Sequence, residues 1–554
     1  AMLVKDLAAT ISAELKSAAA AGQLSDLPST FEVTIERPKN RDHGDYSSNI
    51  AMVLAKQLQT SPRELAQLLA NRLEGLPGIS EVSVAGPGFL NISVEAQAQG
   101  ELAKKIVETA ETYGRNDALV GQRINVEFIS ANPTGPLHLG HTRWAALGDA
   151  ICRVLRASGA EVASEFYVND RGLQVENFGK SLLAAANGQP IPEDGYHGAY
   201  VMDIAAKIRA DNPGLTHLSV EEQLAEYAEQ GITRQREEQE QTLAIFRTTF
   251  DRWVSERSLH DSGKVDEALT RLRDRGVIHE KDGATWLRTT DFGDDKDRVL
   301  RKSDGEFTYF TSDTAYYLDK RGRGFDKVIY LLGADHHGYI GRLRALAACF
   351  GDDPDLSLQV LIGQLVKIVR GNEEVKLSKR SGTMVTLAEL VEEVGVDAAR
   401  YALIRSPADS SMTLDLELLV KHTNDNPVFY VQYAHARIAS VLRIANERGI
   451  NWRESEFDPS LLASEPERGL LGVLEQFPSV VATAAELREP HRVARYLETL
   501  AGAYHRFYDN CRVLPGADEP TTPTNVARLW LCAAARQTLA NGLELCGVSA
   551  PEKM

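Results

Sequence analysis

Two short stretches carry side chains suited to handling phosphate. In the first, Gly135 to His141 reads GPLHLGH, with His138 and His141 three residues apart. Residues at that spacing share a helix face. Pro133, Gly135, Pro136 and Gly140 end any preceding strand and leave the backbone open to a ligand where a helix begins. The first-turn N–H groups of a helix have no intrahelical acceptor and sit at the positive end of its dipole. Those amides and both imidazoles can therefore meet one anion. In the second stretch, Lys376, Leu377, Ser378, Lys379 and Arg380 run into Ser381 and Gly382, a cationic, hydroxyl-bearing segment on a loop free to move. An HxGH string by itself reads equally well as two surface histidines.

The elements around these residues predict a doubly wound α/β sheet. Ile124, Val126 and Phe128 alternate as in a strand, and Trp144, Leu147, Ile151 and Val154 follow with a helical period. A second strand, Glu161 to Val168, closes a βαβ unit and ends at Asn169, Asp170 and Arg171, where such sheets place ligands. The pattern resumes at Lys327 to Leu332 and runs into Gly333, Ala334, Asp335, His336 and His337. A helix from Gly341 to Phe350 and a strand from Leu358 to Ile362 come next. His336 and His337 are sequence neighbours that project differently, with no third ligand at a matching interval, so they read as nucleotide and amino-acid contacts and not as a metal site.

Three regions are expected: an α+β module over 1–112, the sheet domain over 113–395, and a helical bundle over 396–554. The module has a strand at FEVTIERP (Phe31 to Pro38), a strand pair around Glu81 to Val94, and a loop exposing Arg37, Lys39, Arg41 and His43. Its turn, Gly86 to Asn91, presents Phe89 and Asn91. They can stack on an unpaired base and bond its edge, or Phe89 can fill a local core. A charged helical insertion occupies about 190–290, with Leu243, Phe246, Phe250 and Trp253 spaced along one helical face as core. From Ala388 onward the pattern is all helical. Tyr430, Tyr433 and Arg437 fall near one face, suited to stacking on bases or to bundle packing, and Tyr504, His505, Arg506 and Tyr508 carry the same two readings.

Composition excludes several classes. A chain of 554 residues needs more than one core. No apolar run approaches a membrane span, and the N-terminal segment reads as an amphipathic helix and not a signal peptide. The five cysteines are scattered, with no CxxC pair, which argues against a disulfide framework or zinc knuckle and for the cytoplasm. A net charge of −17 argues against indiscriminate coating of nucleic acid, but is compatible with a specific RNA bound through local basic patches.

Together, HLGH and KLSKR resemble the HIGH and KMSKS signatures of class I aminoacyl-tRNA synthetases. SANPTGPLHLGH, YVND, GADHHGY, the DALR-like Asp397-Ala398-Ala399-Arg400 and the closing APEKM are similar to arginyl-tRNA synthetases of the bacterial type, over nearly the whole chain. The resemblance implies a Rossmann-like catalytic domain, a module reading the tRNA D-loop through Phe89 and Asn91, and an anticodon-binding bundle using Tyr430, Tyr433 and Arg437. It implies ATP-dependent formation of arginyl-adenylate, transfer to the terminal ribose of tRNA-Arg, activation that waits for bound tRNA, Mg2+ accompanying ATP, and a monomer. His138 and His141 would hold phosphates beside Gly135, Pro136, Gly140, Gly333 and Asp335. Lys376, Ser378 and Lys379 would close over the pyrophosphate. Glu127, Asn132, Tyr309 and Asp313 would bind arginine, with Ser130 at the α-amino group and His336 where the family has an amide. Two rivals are an HxGH-superfamily nucleotidylyltransferase acting on a small molecule and a synthetase-derived RNA-binding protein without catalysis.

Overall fold

Five parallel strands form the centre of the molecule, in the order Leu358–Gly363, Lys327–Gly333, Arg123–Glu127, Glu161–Val168, Arg252–Ser255. The computed structural model describes residues 4–38, 40, 43–376 and 385–554. Ser378 and Lys379, with Lys39 and Arg41, lie outside the described residues. The inner strands are covered on both faces: Ile124, Val126, Phe166, Val328 and Ile329 are fully buried, and so are the polar Asn125 and Glu165. The chain enters in the middle at Arg123–Glu127, steps outward through Glu161–Val168 to Arg252–Ser255, then crosses back to Lys327–Gly333. The strand order therefore reverses between Arg123–Glu127 and Lys327–Gly333. A doubly wound sheet opens its ligand crevice at the carboxyl ends of such a pair.

The outer sheet strand, Arg252–Ser255, lies inside the segment expected to be a helical insertion. The long helix Val220–Ile245 stops before Arg247, whose φ of 63° turns the chain. Phe250 and Trp253 are thus not on the helix of Leu243, although they are core. Trp253 stacks on Phe166 at 4.3 Å and Phe250 meets Phe128 at 4.5 Å. The helices Leu173–Ala186, Ala199–Asp211 and Val220–Ile245 have their own core around Phe178, Leu182, Ile208 and Tyr227. After the sheet strand comes a small antiparallel sheet, Ile278–Lys281, Ala284–Leu287 and Arg298–Arg301, that the helical expectation did not include.

In the N-terminal module, Tyr46–Ser48, Phe89–Val94 and Ile79–Ala85 form an antiparallel sheet. Leu90, Ile92 and Val94 pack on Leu7, Ile11, Leu65 and Leu69 from two helices. FEVTIERP is not a strand, because it finds one bridge only, Glu36 to Ser47. Arg37 is not exposed either. It is tucked beside Asp45 and Glu475, and burial lowers its pKa. The following helix, Ala96–Thr109, grouped with this module from sequence, lays Leu102, Ala103 and Ile106 into the core shared by sheet and bundle.

The C-terminal region is a bundle of Pro427–Glu447, Glu465–Glu475, Phe477–Leu487, His491–Asn510 and Pro523–Leu545. It is preceded by one unexpected strand, Met412–Asp415, which pairs with Val366–Arg370. Against expectation, one stretch, Glu465–Leu487, is long and apolar enough to span a membrane. Here it breaks at Gln476 and buries Leu470, Leu471, Leu474, Phe477 and Val481 within the bundle. Arg400 locks the bundle to the sheet domain. Fully buried, it meets Asp149 at 2.6 Å and donates to the carbonyls of Phe246 and Cys546.

Candidate active site

The strand Arg123–Glu127 ends in two residues in the left-handed region, Ile129 (φ 74°) and Ser130 (φ 49°). Such conformations cost free energy in non-glycine residues and persist where surrounding contacts impose them. Here those contacts are on Ser130: its hydroxyl donates to Glu127 Oε2 at 3.0 Å and accepts from the Tyr167 N–H at 3.2 Å. The turn that follows delivers His138 to the N-cap of the helix Leu139–Ala157. The Gly140 N–H donates to His138 Nδ1 at 3.1 Å, which assigns the ring proton to Nε2. The two rings stand 4.3 Å apart, and His141 Nδ1 is buried without a partner. Burial lowers both pKa values, that of His141 to about 3 with His138 adding to the effect. The pair is neutral at pH 7, so it offers N–H donors and no resident charge.

The described residue that follows the KLSKR stretch is stitched to this helix start. The Leu139 N–H donates to Val385 O at 2.8 Å and the Leu387 N–H to Leu137 O at 2.9 Å, with a bridge between His138 and Thr386. On the other side of the stretch, Lys376 is exposed, its Nζ 3.9 Å from Glu374. Arg143, one turn into the helix, donates to the carbonyls of Gln364, Pro407 and Ser410. These bonds fix the helix against the edge of the sheet from which that segment departs.

A cavity of about 470 Å³ opens at the strand reversal. Of the residues expected from sequence, it brings together Glu127, Ser130, His138, Gly140, His141, Tyr309, Asp313, Gly333, Asp335 and His336. Asn132, Gly135 and Pro136 are not in its wall. Asn132 is exposed, and Gln239 of the long helix donates to the carbonyls of Asn132 and Gly135 at 3.0 and 2.8 Å. A larger cavity of about 740 Å³, lined by Lys264, Arg271, Arg323 and other charged residues, shares none of these positions.

Tyr309 and Asp313 stand one turn apart on the helix Tyr309–Gly322. Tyr309 is 65% exposed and donates to Gln174 at 3.2 Å across the mouth. Asp313 accepts from the Tyr339 hydroxyl. Burial raises its pKa to about 7, with Glu127 and Glu256 pushing the same way and the Tyr339 bond opposing. Two groups here were not anticipated. Glu256, 3% exposed with its pKa raised by burial, accepts from Ser312 at 2.8 Å. Lys320 is fully buried and pairs with Glu127 at 2.7 Å. Nothing in ERSLH marks Glu256, but Tyr309, Asp313, Tyr316 and Lys320 recur at i, i+4, i+7 and i+11, one helical stripe. Three acidic side chains thus line the cavity, and the Lys320 ammonium pairs with one of them, Glu127.

The chain matches the family models for the arginyl tRNA synthetase N-terminal domain over residues 5–94, the tRNA synthetases class I (R) catalytic domain over 104–438, and the DALR anticodon binding domain over 431–554. It is 55% identical to an arginine–tRNA ligase of Kineococcus radiotolerans and 54% identical to one of Paenarthrobacter aurescens, with all of both chains covered each time. The chain belongs to the arginyl-tRNA synthetase family. Among solved structures, the Thermus thermophilus arginyl-tRNA synthetase is similar with a TM-score of 0.77 and 25% identity, covering 100% of each chain.

The residues expected to face RNA fall in two places. Phe89 opens its strand 39% exposed, whereas Asn91, on the same face, is only 8% exposed. In the bundle, Phe429 stacks between His422 at 5.8 Å and Tyr433 at 5.6 Å, and Tyr433 meets His505 at 6.3 Å. Arg437 lies 3.7 Å over the Tyr508 ring and 3.2 Å from His505 Nδ1. Tyr504 is fully buried and belongs to the core. His422 and Phe429, not among the expected residues, extend this row of rings, and Phe429, Tyr433 and Arg437 follow the four-residue spacing of one stripe.

Proposed function

We propose that the chain is an arginine–tRNA ligase, activating L-arginine with ATP to arginyl-adenylate and transferring the arginyl group to the terminal ribose of its tRNA. The carrying observation is the backbone stitching of Val385 and Leu387 onto Leu139 and Leu137. It ties the segment beside KLSKR to the HLGH helix start, whose His138 and His141 line the cavity together with Glu127, Glu256 and Asp313. The names and full-length similarity of the two relatives support the same reading.

In this reading, the arginine carboxylate attacks the α-phosphorus of ATP, the bond to the bridging oxygen breaks, and pyrophosphate leaves. His138 Nε2–H and His141 donate to phosphate oxygens, with Gly140, Gly333 and Asp335 around the nucleotide. The Leu139, Gly140 and His141 amides stay on Val385 O, His138 Nδ1 and His138 O. Because the histidines are neutral, the charge that meets the departing pyrophosphate comes from Lys376 and Lys379, with Ser378 as a further donor. Among the described residues, no group of three or more His, Cys, Asp or Glu is arranged to hold an ion. Mg2+ would accompany the nucleotide, where it would neutralise phosphate charge. Asp313 and Glu127 satisfy the guanidinium, which requires paired acceptors, under Tyr309. Ser130 lies toward the α-amino group, with Asn132 and His336 as further contacts. Phe89 and Asn91 meet the D-loop, and the Tyr430, Tyr433 and Arg437 stripe meets the anticodon. The enzyme is monomeric and cytoplasmic in this reading, with module 1–112, catalytic domain 113–395 and anticodon domain 396–554.

Aminoacylation of total tRNA, assayed with each standard amino acid, tests it. Charging with arginine alone is expected, whereas charging with another amino acid, or none, overturns it. Pyrophosphate exchange with and without tRNA tests whether activation waits for the RNA.

A further inference from the structure

Glu127 does not meet the cavity as a free carboxylate. Its Oε1 pairs with Lys320 Nζ at 2.7 Å and its Oε2 accepts from Ser130 Oγ at 3.0 Å. Lys320 has no solvent exposure, and its ammonium lies 4.2 Å from the centre of the Tyr316 ring and 4.3 Å from that of Tyr330. Cation–π contacts of this kind suit a desolvated ammonium, but neutral rings leave its charge to be balanced by a carboxylate. The next buried acid, Glu165, is already held by the Arg323 guanidinium and by the Tyr316 hydroxyl. Asp313 is engaged by Tyr339 and Glu256 by Ser312. Among the described residues, Glu127 is the one carboxylate in ion-pair contact with Lys320.

We propose that Lys320 is a positioning residue for arginine, acting through Glu127. A buried ammonium on one oxygen and a hydroxyl on the other leave the carboxylate one orientation. Its remaining lone pairs then face the cavity at a fixed angle, ready for a planar donor. Lys320 also sets a positive charge directly beside Glu127 in a cavity that Asp313 and Glu256 line as well. Being fully buried, it cannot itself touch arginine. This inference rests on the reading of the cavity as an arginine site.

The test is a double-mutant cycle, read in arginine binding and in pyrophosphate exchange. Lys320→Met should raise the arginine KM on the order of 100-fold, because an unpaired buried carboxylate loses its charge or its position, while the ATP KM changes less than about twofold. Lys320→Arg should retain arginine affinity within about tenfold, since a guanidinium can still pair with Glu127. In the Glu127→Gln background, Lys320→Met should add nothing to the loss. That double variant also removes both buried charges, and so remains measurable if the single variant fails to fold. An unchanged arginine KM in Lys320→Met, equal rises for arginine and ATP, or losses that add in the double variant would each overturn the inference. Failure of the unmodified chain to bind or charge arginine would instead overturn the function proposed above.

Discussion

The two ends of the cavity handle charge in opposite ways. The end proposed to receive the amino acid is built in advance from acids held in place: Glu127 by Lys320 and Ser130, Asp313 by Tyr339, and Glu256 by Ser312. The end proposed to receive phosphate has two histidines whose pKa values burial lowers, with its lysines on the segment that precedes the stitched Val385 in sequence. Their ligands account for the difference. A guanidinium keeps its charge throughout activation, so its acceptors can be fixed. The pyrophosphate gains charge only as it leaves, so cations that act on it are most useful if they arrive with the transition state.

The sharpest way to separate the two ends is Lys379→Ala. It should slow adenylate formation about 100- to 1000-fold and leave arginine affinity unchanged, as measured by pyrophosphate exchange and by calorimetry. Equal loss in both would make the two ends one unit. Asp313→Ala should do the converse, weakening arginine on the order of 100-fold while sparing ATP affinity. If ATP binding collapsed instead, the assignment of that wall would be wrong.

A pH series sharpens the comparison. Asp313 is held at about 7, above an ordinary carboxylate, so it is protonated below that pH and ionised above it. The arginine KM should therefore fall as pH rises through about 7, by up to about tenfold per unit on the acid side. The ATP KM, measured with Mg2+ in excess, should stay flat over the same range, because His138 and His141 are already neutral there. The same group makes folding pH-dependent. Its raised pKa contributes stability that is present below the unfolded value near 3.8 and lost as pH rises through about 7. Arginine should accordingly raise Tm more at pH 8 than at pH 6.

How far the sequence could be read follows the same division. The proposed phosphate end is local: two histidines, glycines and prolines lie within one turn, and their spacing suggested a helix start there, although the HxGH string alone read equally well as two surface histidines. Lys327–Gly333 and Leu358–Gly363 were legible as near-continuous apolar runs and Arg123–Glu127 by alternation, whereas Arg252–Ser255 was expected to be helical. The arginine end is assembled across long sequence separations, and the partners Glu127–Lys320 and Ser312–Glu256 have no shared spacing to betray them. Periodicity also misled where two periods coincide. Leu243, Phe246, Phe250 and Trp253 fit a helix, yet the chain turns at Arg247 and puts Trp253 on a strand of the same core. FEVTIERP alternates like a strand but meets a neighbour at one residue only, and alternation cannot say whether a partner edge exists. The stripe from Tyr309 to Lys320 was present in the sequence, and following it past Asp313 leads to the buried lysine.

The smallest expected effect concerns the hydroxyl that joins strand end to carboxylate. Ser130→Ala removes the bond to Glu127 Oε2 and the acceptor for the Tyr167 N–H, but leaves the Lys320 pair intact. One neutral-donor bond to a carboxylate is worth about 1.5 kcal/mol or somewhat more, so the arginine KM should rise about tenfold with the ATP KM unmoved. Because Ser130 occupies the left-handed region, Ser130→Gly relieves backbone strain while losing the same hydroxyl. Steady-state kinetics on both variants separates the two contributions. Equal KM values with a higher Tm for glycine would assign the arginine effect to the hydroxyl and the strain to stability alone. A glycine variant that binds arginine as well as the parent would mean that the backbone, and not the bond to Glu127, sets the geometry of this wall.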